Sequence, residues 1–561
     1  VPIINDLEKI KSKATSLQAE FDANWRPHLK EISQYVLPRK GRFLDDNDAP
    51  NDGKKRHQKI IDGVAIKALR TLGAGMQNGL TSPSRPWFLL ESPIPGHRDI
   101  ERVKAWLSKA RSIMLTVFSK SNFYNSAHST YLELGAFGTG AMLIEEDFEN
   151  GIHCFPFTTG EYCIGANDRG VVDTFKRTIW MQARNVLNMF GKENVSDSIL
   201  RSVDNKQKYE WVKVIHFIEP NAERDISKSD NVNMRYRSIY YENGGNAAKG
   251  KVLSVSGYNT FPAPVPRWLV TGSEVYGQSP AMEALGDVKQ LQKVQEKKLK
   301  ALDKIVDPPM NAPASMKNRH TTLVPGGVTF VDSVGGQGPS FTPSHVPNVN
   351  FQAVLSEVEA LKISINEFFF ADLFLLLSDP RARKDMTATE VIERQQEKLA
   401  ILGPVVERMH SDFLSPIIDR VFDILLRNGL FPPPPPELAG LNLKVEMVSL
   451  LTQAQRLSDT INIEKAVSFI AGLSSIDPQA VDKLNTDKTI DEYGNLINLP
   501  ADIINTDEEA FEIREARRIA EQQANMADNL QRATEGAKTL SETSLEGDTA
   551  LNAVVQGAQN A

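Results

Sequence analysis

Five lysines share one helical face in the middle of this chain. Lys289, Lys293, Lys297, Lys300 and Lys304 follow one another at intervals of 4, 4, 3 and 4 residues. At about 100° per residue they fall within an arc of roughly 80°. Leu291, Val294, Leu302 and Ile305 belong to the other side of the same helix. Ammonium groups stacked in a line neutralise phosphates without reading bases, so the chemistry open to them is non-specific contact with a polyanion. The spacing also fits a solvated surface face, because Glu296 stands four residues before Lys300, an ordinary i,i+4 pair. The stripe alone leaves both readings open.

A second basic group comes after an apolar run. Phe368–Leu377 is interrupted only by Asp372, and it abuts Ser378, Asp379, Pro380, Arg381, Arg383 and Lys384. This reads as a buried anchor before an exposed basic loop, or as a core segment with a surface turn after it. Between the two groups lies a Gly/Pro-rich excursion with one hairpin, Thr321–Val324 and Val328–Asp332, turning at Pro325, Gly326 and Gly327. Phe330 sits in its second strand, and Gly335 and Gly336 begin the irregular stretch beyond it.

Catalytic and cofactor signatures are missing from the sequence. It contains no GxxxxGK[ST] phosphate loop, and Gly73, Gly75 and Gly79 miss the dinucleotide fingerprint and do not follow a strand. The nine histidines are scattered, without HExxH or a ligand-like pair. Glu145, Glu146 and Asp147 form an acidic cluster that reads as a solvated turn at a strand end. Cys154 and Cys163 are expected to be reduced, core-side thiols. The expectation is therefore no catalytic residue, no cofactor and no metal. A nuclease or packaging ATPase is the enzymatic alternative, and the missing motifs speak against it.

With 64 Lys and Arg against 71 Asp and Glu, the net charge is −7, which excludes a protein that coats nucleic acid through a generally basic surface. Any DNA contact must be local. No signal peptide is read in Val1–Lys13, and no apolar run approaches the roughly 20 residues of a membrane helix. A soluble protein made in the cytoplasm is expected.

The elements that must hold the lysines read as α+β, predominantly helical. Helix is expected over 3–36, over about 59–80 and over about 99–137. The three glycines of the second stretch imply close approach by another backbone. Short strands then dominate to about Pro266. Ser279 and Pro280 start the lysine helix, which runs to Val306 and stops at Asp307, Pro308 and Pro309. Its 26 residues would span roughly 39 Å. A second helix is expected over 350–370, a kinked third over 387–428, a strand over 443–448 and mostly helix over 452–541. The last twenty residues, without Lys or Arg, read as a flexible tail.

Four segments add a resemblance. Leu72–Phe88 (LGAGMQNGLTSPSRPWF), Gly135–Gly140 (GAFGTG), Tyr276–Pro280 (YGQSP) and Met386–Glu390 (MTATE) occur in an order that resembles the head-to-tail connector, or portal, proteins of short-tailed double-stranded DNA bacteriophages. The resemblance covers about residues 5–450. It implies a portal fold assembled as a ring of twelve subunits around a central channel, at one vertex of the capsid in the virion. On that pattern 1–280 and 387–450 form a wing, 281–306 and 348–370 a stem, and 307–347 a clip. Residues 371–386 form a channel loop, 451–541 a helical crown and 542–561 a tail. The implied partners are DNA in the channel, the major capsid protein and scaffold, the terminase motor, and tail adaptor and tail proteins, with internal core or ejection proteins as further candidates. A different ring or adaptor protein of the virion is the structural alternative.

Overall fold

The computed structural model describes residues 7–45, 50–51, 53–97, 100–204, 209–228, 230–243, 251–311, 342–343, 350–378, 401–438, 444–447, 463–473, 477–497 and 507–541. The chain forms two compact units, Val1–Gln455 and Arg456–Ala561.

The first unit opens with helices α1 (Leu7–Asn24) and α2 (Arg26–Val36), broken at Trp25, where the sequence pattern suggested one continuous helix. Pro27 sits in the first turn of α2, the position where its missing N–H costs nothing, so it starts a new helix there. Helix α3 (Val64–Leu80) starts five residues later than the pattern suggested. Strand β1 (Phe88–Glu91) comes after it. The expected long helix at 99–137 is two, α4 (Glu101–Lys120) and α5 (Phe123–Phe137), and Gly138 ends the second in a left-handed conformation at φ +73°. Only glycine takes that conformation without strain.

A hairpin of β2 (Ala141–Asp147) and β3 (Gly151–Phe157) precedes a five-stranded antiparallel sheet. Its strands β4 (Tyr162–Ala166), β5 (Val172–Gln182), β6 (Trp211–Pro220), β7 (Tyr236–Glu242) and β8 (Val252–Tyr258) lie in sequence order. Two short helices, α6 (Ala183–Phe190) and α7 (Asp197–Asp204), close a small apolar core over this sheet with Val186, Phe190, Val195 and Val214. Neither these helices nor β8 was distinct in the sequence pattern.

The lysine helix is α8 (Pro280–Val306), and the two-residue strands β9 (Met310–Asn311) and β10 (Thr342–Pro343) pair just beyond it. Helices α9 (Phe351–Phe368) and α10 (Ala371–Ser378) come next, then α11 (401–409), a π-turn at His410–Leu414 and α12 (Ser415–Arg427). Strand β11 (Lys444–Met447) pairs antiparallel with β1, Phe88 opposite Met447, and ties this C-terminal segment to the N-terminal helices. Arg420 of α12 is buried and donates to the Ile144 carbonyl at 2.8 Å, seating that helix beneath β2. One large core joins α3, α4, α5, α8, α9 and α12.

The second unit is helical among its described residues: α13 (463–473), α14 (Thr486–Ile497) and α15 (Asp507–Ser541). In the described residues no helix is long and apolar enough to cross a membrane.

Candidate functional site

Everything that fixes the lysines in space is concentrated at the base of α8. Ser279 caps the helix: its hydroxyl accepts from the Met282 N–H at 3.1 Å and donates to the Ala136 carbonyl at 2.9 Å. Gly277 meets Gly138 so closely that a Cβ on either would collide with the other's carbonyl oxygen. The Gly277 N–H donates to Thr139 Oγ1 at 2.8 Å. Tyr276 lies 5.4 Å from both the Phe21 and Trp25 rings, and its hydroxyl accepts from the Ile164 N–H at 3.0 Å. Two of the segments singled out in the sequence, 135–140 and 276–280, are thus one backbone junction.

Further along, Gln292 works as a clamp. Its Oε1 accepts from the N–H groups of Ile61 and Asp62 at 2.7 and 2.9 Å, while its Nε2 donates to the Asp62 carbonyl at 2.9 Å. Gln295 donates to the Asp62 carboxylate at 2.9 Å, and Lys362 of α9 approaches the same oxygen at 3.8 Å. Ser364 donates to Asp287 at 2.6 Å and Gln290 to Glu357 at 2.9 Å, so α9 is stitched to α8 on both sides of its apolar contact. A buried amide that satisfies three backbone groups is a strong register device, because losing it strands all three.

The five lysines divide on this scaffold. Lys289 pairs with Glu31 of α2 at 2.6 Å. Its hydrogen bond holds the Glu31 carboxyl below the ordinary carboxylate value and raises the Lys289 ammonium, so this lysine is engaged within the chain. Lys300 pairs with Glu296 at 2.5 Å, the surface pair suggested by the spacing. Lys293, Lys297 and Lys304 have no ion pair among the described residues. An open depression of about 410 Å³ lies beside the first two, lined by Gly286, Lys289, Gln290, Lys293, Val294 and Lys297.

The apolar backing of the stripe is shorter than the helical period implied. Leu291 is buried and Val294 packs on the core, but Leu302 and Ile305 are exposed, with Leu299 and Val306 beside them. No residue of α8 beyond Gln295 is buried. Periodicity placed Leu302 and Ile305 on the correct side of the helix, but the chain's own core ends before it reaches them.

Two of the three glycines of α3, Gly73 and Gly75, meet side chains, correcting the expected backbone approach there. A Cβ on Gly75 would overlap the ring of Phe374 from α10, and one on Gly73 would press on Leu132 of α5. Phe374 and Leu373 are buried, so the apolar run is an anchor in the core. The stretch 371–386 is not loop throughout: Ala371–Ser378 is helical. Between α9 and α10 the chain turns at Phe370, a non-glycine residue at φ +53°, a strained conformation held by the packing on either side. Ser378 closes α10; Asp379, Pro380, Arg381, Arg383 and Lys384 lie outside the described residues, as do Thr321, Pro325, Gly326, Gly327, Phe330, Gly335 and Gly336.

The other candidate chemistry resolves into structure. Cys154 and Cys163 are buried, and burial pushes their thiols up to about 12 and about 11. Asp147 accepts from the Glu149 N–H and Asn150 Nδ2 at 3.0 and 2.9 Å, and Glu146 pairs with Arg427 at 2.7 Å, so the acidic cluster is a turn with a surface ion pair. Among the described residues no three metal-ligating side chains converge. Gln292, Asp62 and Glu31 were invisible in the sequence pattern, because each acts across more than 200 residues.

Comparison with known proteins gives a consistent set of relatives. The family model described as "Bacteriophage head to tail connecting protein" matches residues 7–504. The probable portal protein of Bordetella phage BPP-1 is 40% identical over 533 residues, 95% of each chain. The portal protein of Salmonella phage epsilon15 is 39% identical over 557 residues, covering 99% of this chain and 98% of that one. Among solved structures, a chain from the neck of an empty gene transfer agent particle aligns with 77% of this chain and 90% of its own length, at 9% identity and a TM-score of 0.36.

Proposed function

The chain belongs to the bacteriophage head-to-tail connecting protein family, and on that premise we propose that it is a phage portal protein, a ring component of the virion through which the genome enters and leaves. The observation that carries this is the match to two portal proteins at 39–40% identity over nearly the whole chain. The finer reading is a ring of twelve copies at one capsid vertex, assembled in the host cytoplasm. It would contact the capsid and scaffold, then the packaging motor, and finally the tail adaptor. It assigns no catalysis to the chain.

The division of the lysines supports a channel role for part of the stripe. In a ring, Lys293, Lys297 and Lys304 would each repeat once per copy, as stacked cationic rings about 6 Å apart from Lys293 to Lys297 and about 10 Å apart from Lys297 to Lys304 along the helix. None of these ammonium groups has an ion pair among the described residues, which leaves each available to phosphate. Screening acts over about 8–10 Å at ordinary salt, so such rings guide DNA without holding it. Arg381, Arg383 and Lys384 would be the loop groups nearest the DNA. The hairpin around Pro325, Gly326 and Gly327, with Thr321, Phe330, Gly335 and Gly336, would meet the motor or adaptor. The wing, stem, clip, channel-loop and crown boundaries belong to the same proposal.

Mass photometry and side-view electron microscopy of the purified chain test this directly. Closed rings with a narrow stem below a broader body are expected; monomer alone across salt conditions would overturn the portal reading. A ring without a stem would favour a different virion adaptor.

A further inference from the structure

The five-stranded sheet buries a cation that has no carboxylate partner among the described residues. Arg177 of β5 gives its hydrogen bonds to neutral groups: Nε donates to His216 Nδ1 at 3.0 Å, and Nη2 donates to the Tyr240 hydroxyl at 3.1 Å. Its guanidinium also lies 4.9 and 5.9 Å from the ring centres of Phe157 and Phe155 in β3. The imidazole of His216 in β6 is fully buried and stacks on the Tyr240 ring, 3.8 Å away with 9° between the planes. Burying a charge without an opposite charge is costly, so this arrangement calls for a reason.

The geometry fixes the imidazole as a neutral acceptor. A guanidinium can only donate, so Nδ1 offers its lone pair, the ring proton sits on Nε2, and that N–H donates to Ser238 Oγ at 2.8 Å. Ser238 in turn bonds to the Tyr258 hydroxyl. One cation therefore sets the direction of the whole chain, from Arg177 through His216 and Ser238 to Tyr258. A further proton would go to Nδ1, where it removes the acceptor and sets two cations face to face in a buried site. Burial and the Arg177 charge hold His216 well below its ordinary 6.5, whereas Glu145 of β2 acts on Tyr240 and Tyr258.

Two parts of the molecule meet at this contact. On one side the sheet carries the small core closed by α6 and α7. On the other lies the β2–β3 hairpin, which α12 holds through Arg420 on the Ile144 carbonyl and Arg427 on Glu146. Phe155 and Phe157 of that hairpin reach the sheet at the Arg177 guanidinium, and Phe157 also packs on Phe175.

We propose that Arg177 and His216 form an acid-sensitive latch: protonation of His216 expels the guanidinium from its site and frees the β2–β3 hairpin from the sheet, while the helical core stays folded. The latch goes beyond the portal reading and does not depend on it. An opened His216 takes a proton near its ordinary 6.5, whereas the closed one takes it only at lower pH. Closure is therefore fully favoured above about 6.5 and weakens as pH falls through that value. The closed-to-open ratio drops about tenfold per pH unit until the closed form itself is protonated.

Hydrogen exchange of the full chain, read by mass spectrometry from about pH 8 to about pH 5, tests the latch. After correction for intrinsic exchange, protection in β3 and β5 peptides should fall about tenfold per pH unit below about 6.5, while peptides of α3 and α12 keep theirs. His216→Gln supplies a neutral acceptor and donor that cannot take a proton, and its β3 and β5 protection should not change with pH. Acid opening that persists in this variant would overturn the latch. Should the variant not fold, the native chain still decides: protection that stays level to the lowest pH, or that falls equally in every element, would overturn it. Burial also holds His128 of α5 and His410 low. Opening that begins at α5 or at 410–414 would assign the acid response to those histidines and would equally overturn the latch.

Discussion

The two halves of α8 make opposite demands on the rest of the chain. From Ser279 to Gln295 the helix is capped, clamped by Gln292 and faced with buried Ala281, Ala284, Leu285, Val288 and Leu291. From Glu296 to Val306 the same helix buries nothing, exposes Leu299, Leu302, Ile305 and Val306, and carries Lys297 and Lys304, which have no ion pair among the described residues. The first half is specified by this chain alone. The second is exposed among the described residues, and clustered exposed aliphatic carbons of this kind mark a surface for contact with another molecule. On the proposed portal reading, such a stem would be positioned within one subunit and completed between subunits.

That contrast is most exposed to failure at the glycine crossing. Gly138→Ala adds a Cβ at φ +73° directly against the Gly277 carbonyl, so both backbone strain and overlap oppose it. A loss of about 3 kcal/mol or more is expected, read as a large drop in the unfolding midpoint of the purified chain. A near-normal midpoint would show that the base is less rigid than its contacts imply. Gln292→Leu comes next. It strands the N–H groups of Ile61 and Asp62 and the Asp62 carbonyl, at an expected cost of about 2–4 kcal/mol in the same measurement.

Substitutions in the outer half should separate stability from assembly. Leu302→Ser and Ile305→Ser are expected to leave the unfolding of dissociated chains within about 0.5 kcal/mol of normal, as surface changes usually do. Their effect should appear instead as a lower fraction of rings in mass photometry at limiting concentration. Equal loss of fold stability at base and tip would end the distinction between them. The combined change Lys293→Gln, Lys297→Gln and Lys304→Gln should be quieter still, with unfolding and ring formation unchanged. Its readout is the salt dependence of DNA packaging and retention, which should flatten; normal filling and retention at every salt concentration would remove the lysines from the channel.

Local signals made the frame of α8 legible. Ser279 and Pro280 at its start and the two prolines after Asp307 are punctuation any helix obeys, and the structure ends the helix at Val306. The break at Trp25 was hidden because a proline in a first helical turn fits an uninterrupted pattern as well as a new helix. Gly75 signalled that something comes close, yet a missing Cβ does not say whether backbone or an aromatic ring fills the space; the ring is Phe374, about three hundred residues away in sequence. Angular arithmetic likewise put five lysines on one face, but it carries no information on Glu31, which engages one of them. Features set by neighbours in sequence were readable, and features set by tertiary partners were not.

Lys289 provides the finest division, between lysines that serve the fold and lysines that remain available to a ligand. Glu31 titrates below its ordinary value of 4.5, chiefly because Lys289 donates to it. A carboxylate with a depressed folded pKa adds stability above its unfolded pKa, and that stability is lost as pH falls through the folded value. Lys289 is raised above 10.5 by the same bond, so its contribution is present below that value and is lost as pH rises through the raised one. The pair should therefore steepen the stability profile slightly at both ends, below about 4.5 and above about 10.5, and do little between them. Both side chains are about 40% exposed, which keeps the slopes shallow. Lys289→Gln should flatten the profile in both windows, whereas Lys293→Gln, which removes no ion pair, should leave it unchanged. Unfolding midpoints on either side of each window decide the matter: identical profiles for the two variants would mean that Lys289 is held no more firmly than Lys293, and Lys289 would again be a candidate for the channel.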